Sequence, residues 1–344
     1  MSSASAERRR WVAALGTAAA FCAAAVLAAG CGGSDSPARE APAAASFPAV
    51  EGRSLLDLYG QTERSGLVVL PVGLVYEKGT RYGFAVYTVA KKQVTEADIA
   101  IYFSHGEDGP ALGPYPARVE SLQTRPQFQS QSTGEDPESS KALYVVDRPP
   151  FDRDGEWRAL AVVDEGDGSF RSVFTPSIVV GHFPRASQGF PRSPANPPAV
   201  GERAPRVHTP TEDDVADITE IDTRIPPDQM HEDDLADVLG RKPVIIVFAT
   251  PAFCQSRACG PVVDVAEEAR ARYGEGVSFI HMEIYNGNDP TAGVRPQVKA
   301  FRLPSEPWLF AIDADGVIRT RIEGAWSVAD VEAAAAGLLK EKGA

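Results

Sequence analysis

Two rhythms of apolar and polar residues divide this chain. From about Val50 to Phe183, short runs of β-formers recur: Leu67 to Val72, Tyr82 to Val89, Ile99 to Phe103, Ala142 to Val146, Trp157 to Val163 and Val173 to Val180. Turn residues at Glu77-Lys78-Gly79, Glu107-Asp108-Gly109 and Asp164-Glu165-Gly166 separate some of them. Strands of this length and spacing predict an all-β, antiparallel sandwich over 50–183. From Lys242 the rhythm changes. Val244 to Phe248 is a continuous β-branched and aromatic run, the mark of a strand covered on both faces. Val262, Val265, Ala266, Ala269 and Tyr273 then recur at helical spacing, with Asp264, Glu267, Glu268, Arg270 and Arg272 on the opposite face. Val277 to Ile284 reads as a second buried strand, so the three segments predict a right-handed βαβ unit. A helix over Pro296 to Phe301, a strand over Leu309 to Asp313, a turn at Ala314-Asp315-Gly316 and a strand over Val317 to Glu323 follow. Ser327 with Asp330 three positions on is a capping-box-like start for a last helix lined by Val331, Ala335, Leu338 and Leu339. The order over 212–344 is βαβ, helix, ββα, an α/β domain.

Between the two rhythms lies Pro184 to Pro210, with prolines at 184, 191, 194, 197, 198, 205 and 210. Such a segment is expected to be an extended, semi-rigid linker, bounded here as 184–211. Thr211 to Asp237 follows with eleven acidic residues against the single Arg224, and the pattern reads as a solvated face. Within it Ile218 to Asp222 is predicted as an edge strand and His231 to Leu239 as a short helix closed by Gly240.

The start of the chain has its own grammar. Arg8, Arg9 and Arg10 precede an apolar stretch from Trp11 to Ala29 and the sequence Leu27-Ala28-Ala29-Gly30-Cys31. A basic region, an apolar region and small residues before the cut make 1–31 an export signal. Its end resembles a bacterial lipobox, which implies lipidation at Cys31, with 32–49 as a Gly, Ser, Ala and Pro tether. A retained transmembrane anchor is the alternative. Either way the rest of the chain is expected outside the cytoplasm, at the outer face of the cell membrane.

Composition narrows the partners. The 344 residues carry a net charge of -13, which argues against nucleic acid, since phosphate binding needs clustered cations. Of four cysteines, Cys22 and Cys31 fall in the leader, leaving Cys254 and Cys259 as the one possible intramolecular pair of the mature chain. They sit where a strand hands over to a helix N-terminus, a place that favours a thiolate. No cofactor is implied. His105 and His182 have no second ligand at a metal-like spacing, so no metal site is read from the sequence.

The order of elements, together with Phe248, Pro251, Phe253, Cys254, Cys259, Pro261, Pro307 and Gly324, resembles the thioredoxin superfamily over roughly Lys242 to Leu339. The resemblance implies thiol-disulfide exchange with exported protein thiols or disulfides; by position Cys254 is the attacking thiolate and Cys259 the resolving thiol, and Arg257 and the helix terminus are expected to lower the thiol pKa. It also implies a cis-proline at Pro307, with the backbone of Glu306 exposed to a substrate strand. Gln255-Ser256-Arg257-Ala258 puts four residues between the cysteines where the family's oxidoreductases have two. With Pro261 favouring a first helical turn, both sulfurs are expected in the loop before the helix. In the first domain, Phe151 to Trp157 resembles the entry to a late strand of immunoglobulin-like modules, which implies a spacer or binding role.

Other readings of the pair stay open. One is a non-catalytic binding protein whose six-residue disulfide loop adds about 2 kcal/mol of stability. Another is a peroxiredoxin-like protein, from Pro251-Ala252-Phe253 before a cysteine. A third is Sco-like copper binding, with His281 and Met282 as candidates, although a buried strand Met is usually core.

Overall fold

A computed structural model describes residues 38–181, 186–254 and 257–341. The leader with Cys31, and His182, Pro184, Gln255 and Ser256, lie outside the described residues. Among the described residues no helix is long and apolar enough to cross a membrane.

After a helix α1 (Leu55–Gln61), the first half is mostly β: β1 (Glu63–Arg64), β2 (Leu67–Pro71), β3 (Tyr82–Thr88), β4 (Asp98–His105), β5 (Leu112–Pro116), β6 (Arg118–Ser121), β7 (Ala142–Val146), β8 (Gly155–Asp164), β9 (Phe170–Phe174) and β10 (Ile178–Val180). Strands order as β2-β3-β7-β6 in one sheet and β1-β9-β8-β4-β5 in another, with β10 pairing β8. Phe84, Val86 and Tyr144 of the first sheet share one apolar cluster with Ile101, Phe103, Ala161 and Trp157 of the second. The outer face of β4 and β8 is covered as well, by Leu55 and Leu58 of α1 against Ala100, Tyr102, Leu160 and Val162. That is why these two strands read as unbroken apolar runs. The run expected from Val173 to Val180 breaks at Pro176 into β9 and β10, since proline cannot donate to a ladder. The sequence reading misses β5, whose Gly113, Pro114 and Pro116 hide its strand character.

The second half is a mixed α/β region. Its helices are α3 (Leu235–Val238), α4 (Cys259–Tyr273), α5 (Pro296–Ala300) and α6 (Val328–Glu341), and a short α2 (Gln131–Glu135) belongs to the first half. Its strands are β11 (Val244–Phe248), β12 (Ser278–Met282), β13 (Trp308–Ile312) and β14 (Ile318–Glu323), in the order β12-β11-β13-β14. Strand β11 runs parallel to β12, across α4, and antiparallel to β13. Helices α4 and α6 cover one face through Val262, Val265, Ala266, Val331, Ala335 and Leu338, while Leu235, Val298 and Phe301 cover the other. The capping box expected at Ser327 and Asp330 is present. The strand expected over Ile218 to Asp222 is instead a turn at Ile218–Glu220, because the Asp217 side chain accepts from the Thr219 N–H and bends the backbone.

The two halves share contacts along α4. Leu122, Leu143 and Val145 of the first half enter the same cluster as Val262 and Ala266. Asp264, Glu267 and Glu268, placed on the helix's polar face by spacing, are buried. Their partners explain it. Asp264 accepts from Ser130 N at 3.0 Å and pairs with the buried Arg224 at 2.8 Å, and Glu268 pairs with Arg125 at 2.7 Å. Burial pushes Asp264 above its ordinary value while Arg224 opposes the shift. The prolyl segment also differs from a free spacer. Ser187, Gly201 and Ala204 donate backbone N–H groups to Pro304, Ile318 and Gly316, and Arg302 and Arg321 reach the carbonyls of Asn196 and Pro197.

Candidate functional site

The site is built where β11 ends. The chain leaves β11 through Ala249 and Thr250, and Ala252 N donates to Thr223 Oγ1 at 3.1 Å, tying the loop to the acidic segment. Cys254 and Cys259 are joined by a disulfide with their Cα atoms 5.8 Å apart. Cys259 is the first residue of α4 and Pro261 its third, so the helix starts slightly earlier than its proline alone suggests. Its open N-terminus faces sulfur: Cys259 N donates to Cys254 Sγ at 3.3 Å. Cys254 is half-buried and Cys259 fully buried. A helix N-terminal N–H aimed at one sulfur favours negative charge there.

Beneath the buried sulfur sits a carboxyl. The Glu306–Pro307 bond is cis, and Glu306 Oε2 lies 3.8 Å from Cys259 Sγ. Burial pushes Glu306 up to about 8, the Glu283 carboxylate adds to the rise, and a hydrogen bond from the Thr250 backbone opposes it. Glu283 is itself buried, and its Oε1 accepts from both Thr223 N and Thr223 Oγ1 at 2.9 and 2.6 Å. Pro307 O accepts from Gly324 N at 2.9 Å. Gly324 adopts φ +88°, and a Cβ there would stand 2.6 Å from Val72 O. The proline loop is thereby pressed against the first half of the chain.

Arg257, expected to lower the thiol pKa, is engaged elsewhere. Its guanidinium pairs with Asp136 at 2.8 Å and Glu138 at 3.0 Å, two carboxylates that offset its charge. The consequence is structural: residues 136–140 of the first half wall the cysteine loop, with Ser140 N donating to Arg257 O at 3.1 Å. Sequence reasoning gave the first half no part in the site. A cavity of about 720 Å³ beside Cys254 is lined by Ser132, Asp136 and Arg257, and another of about 640 Å³ runs from Glu306 to Val68, Leu70 and Val89. Val68 and Leu70 stand exposed on β2, an edge strand. Phe253 is exposed beside Cys254.

His281 and Met282 do not reach the cysteines. Among the described residues, the group of metal-ligand atoms around the sulfurs contains Cys254, Cys259 and Glu306. His281 faces Asp228 Oδ2 at 2.7 Å and Ala249 O at 3.2 Å. Burial opposes charge on its ring, but Asp228 outweighs this and raises it to about 10. Met282 packs in the core on the far face of the sheet. His105, at the end of β4, lies 3.1 Å from Asp154 O.

No protein-family profile matches the chain, and no curated protein does. Among solved structures, a thioredoxin family thiol:disulfide interchange protein from Chlorobium tepidum TLS is 18% identical, over 41% of this chain and 99% of that one, with a TM-score of 0.30. A marsupial T cell receptor is 12% identical over 41% of this chain and 42% of its own length, with a TM-score of 0.19. At these scores the functional reading rests on the chain's own geometry.

Proposed function

We propose that this chain is an extracytoplasmic thiol-disulfide oxidoreductase with a thioredoxin-like domain over 212–344, carried behind an immunoglobulin-like β-sandwich and a lipid-anchored leader. One observation carries the redox reading: the Cys254–Cys259 disulfide has one sulfur half-buried under a helix N-terminal N–H and the other buried against Glu306. In the reduced state, the Cys254 thiolate attacks a sulfur of a substrate disulfide, forming a mixed disulfide and releasing one substrate thiolate. Near and above pH 8, where Glu306 is ionised, Cys259 then gives its proton to Glu306, attacks Cys254 Sγ and releases the second substrate thiolate. The enzyme pair loses two electrons and the substrate disulfide gains them. A carboxyl raised to about 8 is well matched to a thiol with an ordinary pKa of about 8.5. Substrate backbone has a place to lie, between the Glu306–Pro307 loop and the exposed edge strand β2, where main-chain pairing holds an extended peptide.

The test is trapping. Cys259→Ser is expected to accumulate mixed disulfides on Cys254, because nothing remains to resolve them, and Cys254→Ser to accumulate none. Equal trapping by both variants, or none by either with a lowered melting temperature, returns the pair to a purely structural disulfide. The full burial of Cys259 favours that second reading. The anchor has its own check. Mass spectrometry of membrane-bound chain is expected to show lipid on Cys31, and an unmodified Cys31 on chain released to the medium refutes it.

A further inference from the structure

Four side chains that the redox reading does not use converge behind the cysteine loop. Asp222, Asp228 and His231 come from the acidic segment and His281 from β12, and their exposures are 1, 7, 3 and 1%. One ligand-type atom of each lies within 4.8 Å of all the others. His231 Nε2 stands 3.4 Å from Asp222 Oδ2 and 3.4 Å from Asp228 Oδ1, yet neither nitrogen of this buried ring has a hydrogen-bond partner. His281 Nε2 faces the carbonyl of Ala249, which only accepts, so that nitrogen carries a proton and Nδ1 is turned to the carboxylates.

A proton on His281 Nδ1 accounts for its contact with Asp228. It leaves His231 unexplained, because Nε2 is equally far from two carboxylates and too far for a good hydrogen bond to either. That spacing suits a shared cation. With donors about 2.0–2.1 Å from a tetrahedral metal, the donors stand about 3.3–3.4 Å from each other; the two His231 distances match this, and His281 Nδ1, at 2.7 Å from Asp228 and 3.8 Å from Asp222, brackets it. Once an ion displaces the proton from His281 Nδ1, two carboxylates and two neutral imidazoles carry the charge that a divalent ion cancels. Two imidazoles among the donors disfavour magnesium and calcium, which prefer oxygen throughout. We propose that Asp222, Asp228, His231 and His281 hold one zinc-class divalent cation, in a closed structural site that clamps the acidic segment to β12. The clamp lies directly under the cysteine loop, since Thr223 accepts from Ala252 N and His281 faces Ala249 O.

The test uses the full chain with its disulfide intact, stripped with a chelator and titrated with zinc and, separately, cobalt. One metal per chain is expected, and cobalt should show tetrahedral d–d bands without sulfur charge transfer. His231→Ala and His281→Ala should each weaken binding beyond the about 10–100-fold typical of changes around a metal's own ligands. His208→Ala, at an exposed histidine paired with Asp234, should bind normally. No bound metal, sulfur charge transfer, or undiminished binding by His231→Ala overturns the site. Should the histidine variants fail to fold, the wild-type melting curve decides: chelator should lower it and one equivalent of zinc restore it, and indifference to both overturns the proposal.

Discussion

At the scale of single residues, Glu306 governs behaviour with pH. Folded, its carboxyl keeps a proton up to about 8, against an ordinary value of 4.5. Between those values the folded chain binds more protons than the unfolded one, so stability falls as pH rises from 4.5 towards 8 and the contribution is gone above that. Glu306→Gln removes the titration. It should match wild type near pH 4 and exceed it at pH 9 by on the order of 1 kcal/mol after screening, read as a rise of a few degrees in melting temperature. On the proposed redox reading the variant should also slow resolution by Cys259 near and above pH 8, where Glu306 is ionised, so mixed disulfides should persist longer there in a stopped reaction and about as long as in wild type near pH 5. Glu306 was legible in the sequence only as a backbone neighbour of Pro307. Its side-chain role depends on how deep it lies and on Glu283, neither of which spacing reveals. Asp222, Asp228 and His231 were hidden in the same way, because an acidic run looks solvated until some of its members turn inwards.

Among the elements, α4 shows how far periodicity carries. Its apolar stripe at Val262, Val265, Ala266 and Ala269 was readable and is buried as expected. The acidic part of its polar stripe, Asp264, Glu267 and Glu268, is buried too, since residues from both halves of the chain supply cations and N–H groups to it, while Arg272 stays exposed. Arg224, the single base among the acids of its segment, is 5% exposed and donates to Asp264, Pro226 O and Phe128 O. Arg224→Ala leaves a buried carboxylate without its cation, and chemical denaturation should show a loss of about 3–5 kcal/mol. Substituting Arg125, whose side chain is 57% exposed in its pair with Glu268, should cost under about 1 kcal/mol. The strands of the second half were legible to within a residue or two because β-branched runs with clear turns specify them. Strands β5 and β6 escaped because prolines and short length mask the alternation.

For the molecule as a whole, the prolyl segment is the element whose role the sequence leaves most open. Proline density predicts stiffness without saying what the segment lies against. In the fold its backbone is pinned to the β13–β14 turn and to Pro304, and Phe190 and Val207 pack on the core of the second half. Limited proteolysis of the native chain should therefore spare residues 186–210, and early cleavage within that window would show the pinning to be absent. The contact at Gly324 and the pairing of Arg257 with Asp136 and Glu138 likewise draw the first half up against the cysteine loop. One consequence is evolutionary. The sulfurs and the wall facing them are encoded in separate stretches of the gene, so, on the proposed redox reading, drift at Val68, Leu70, Val89 or Ser132 would change which partners are admitted while the disulfide is inherited unchanged.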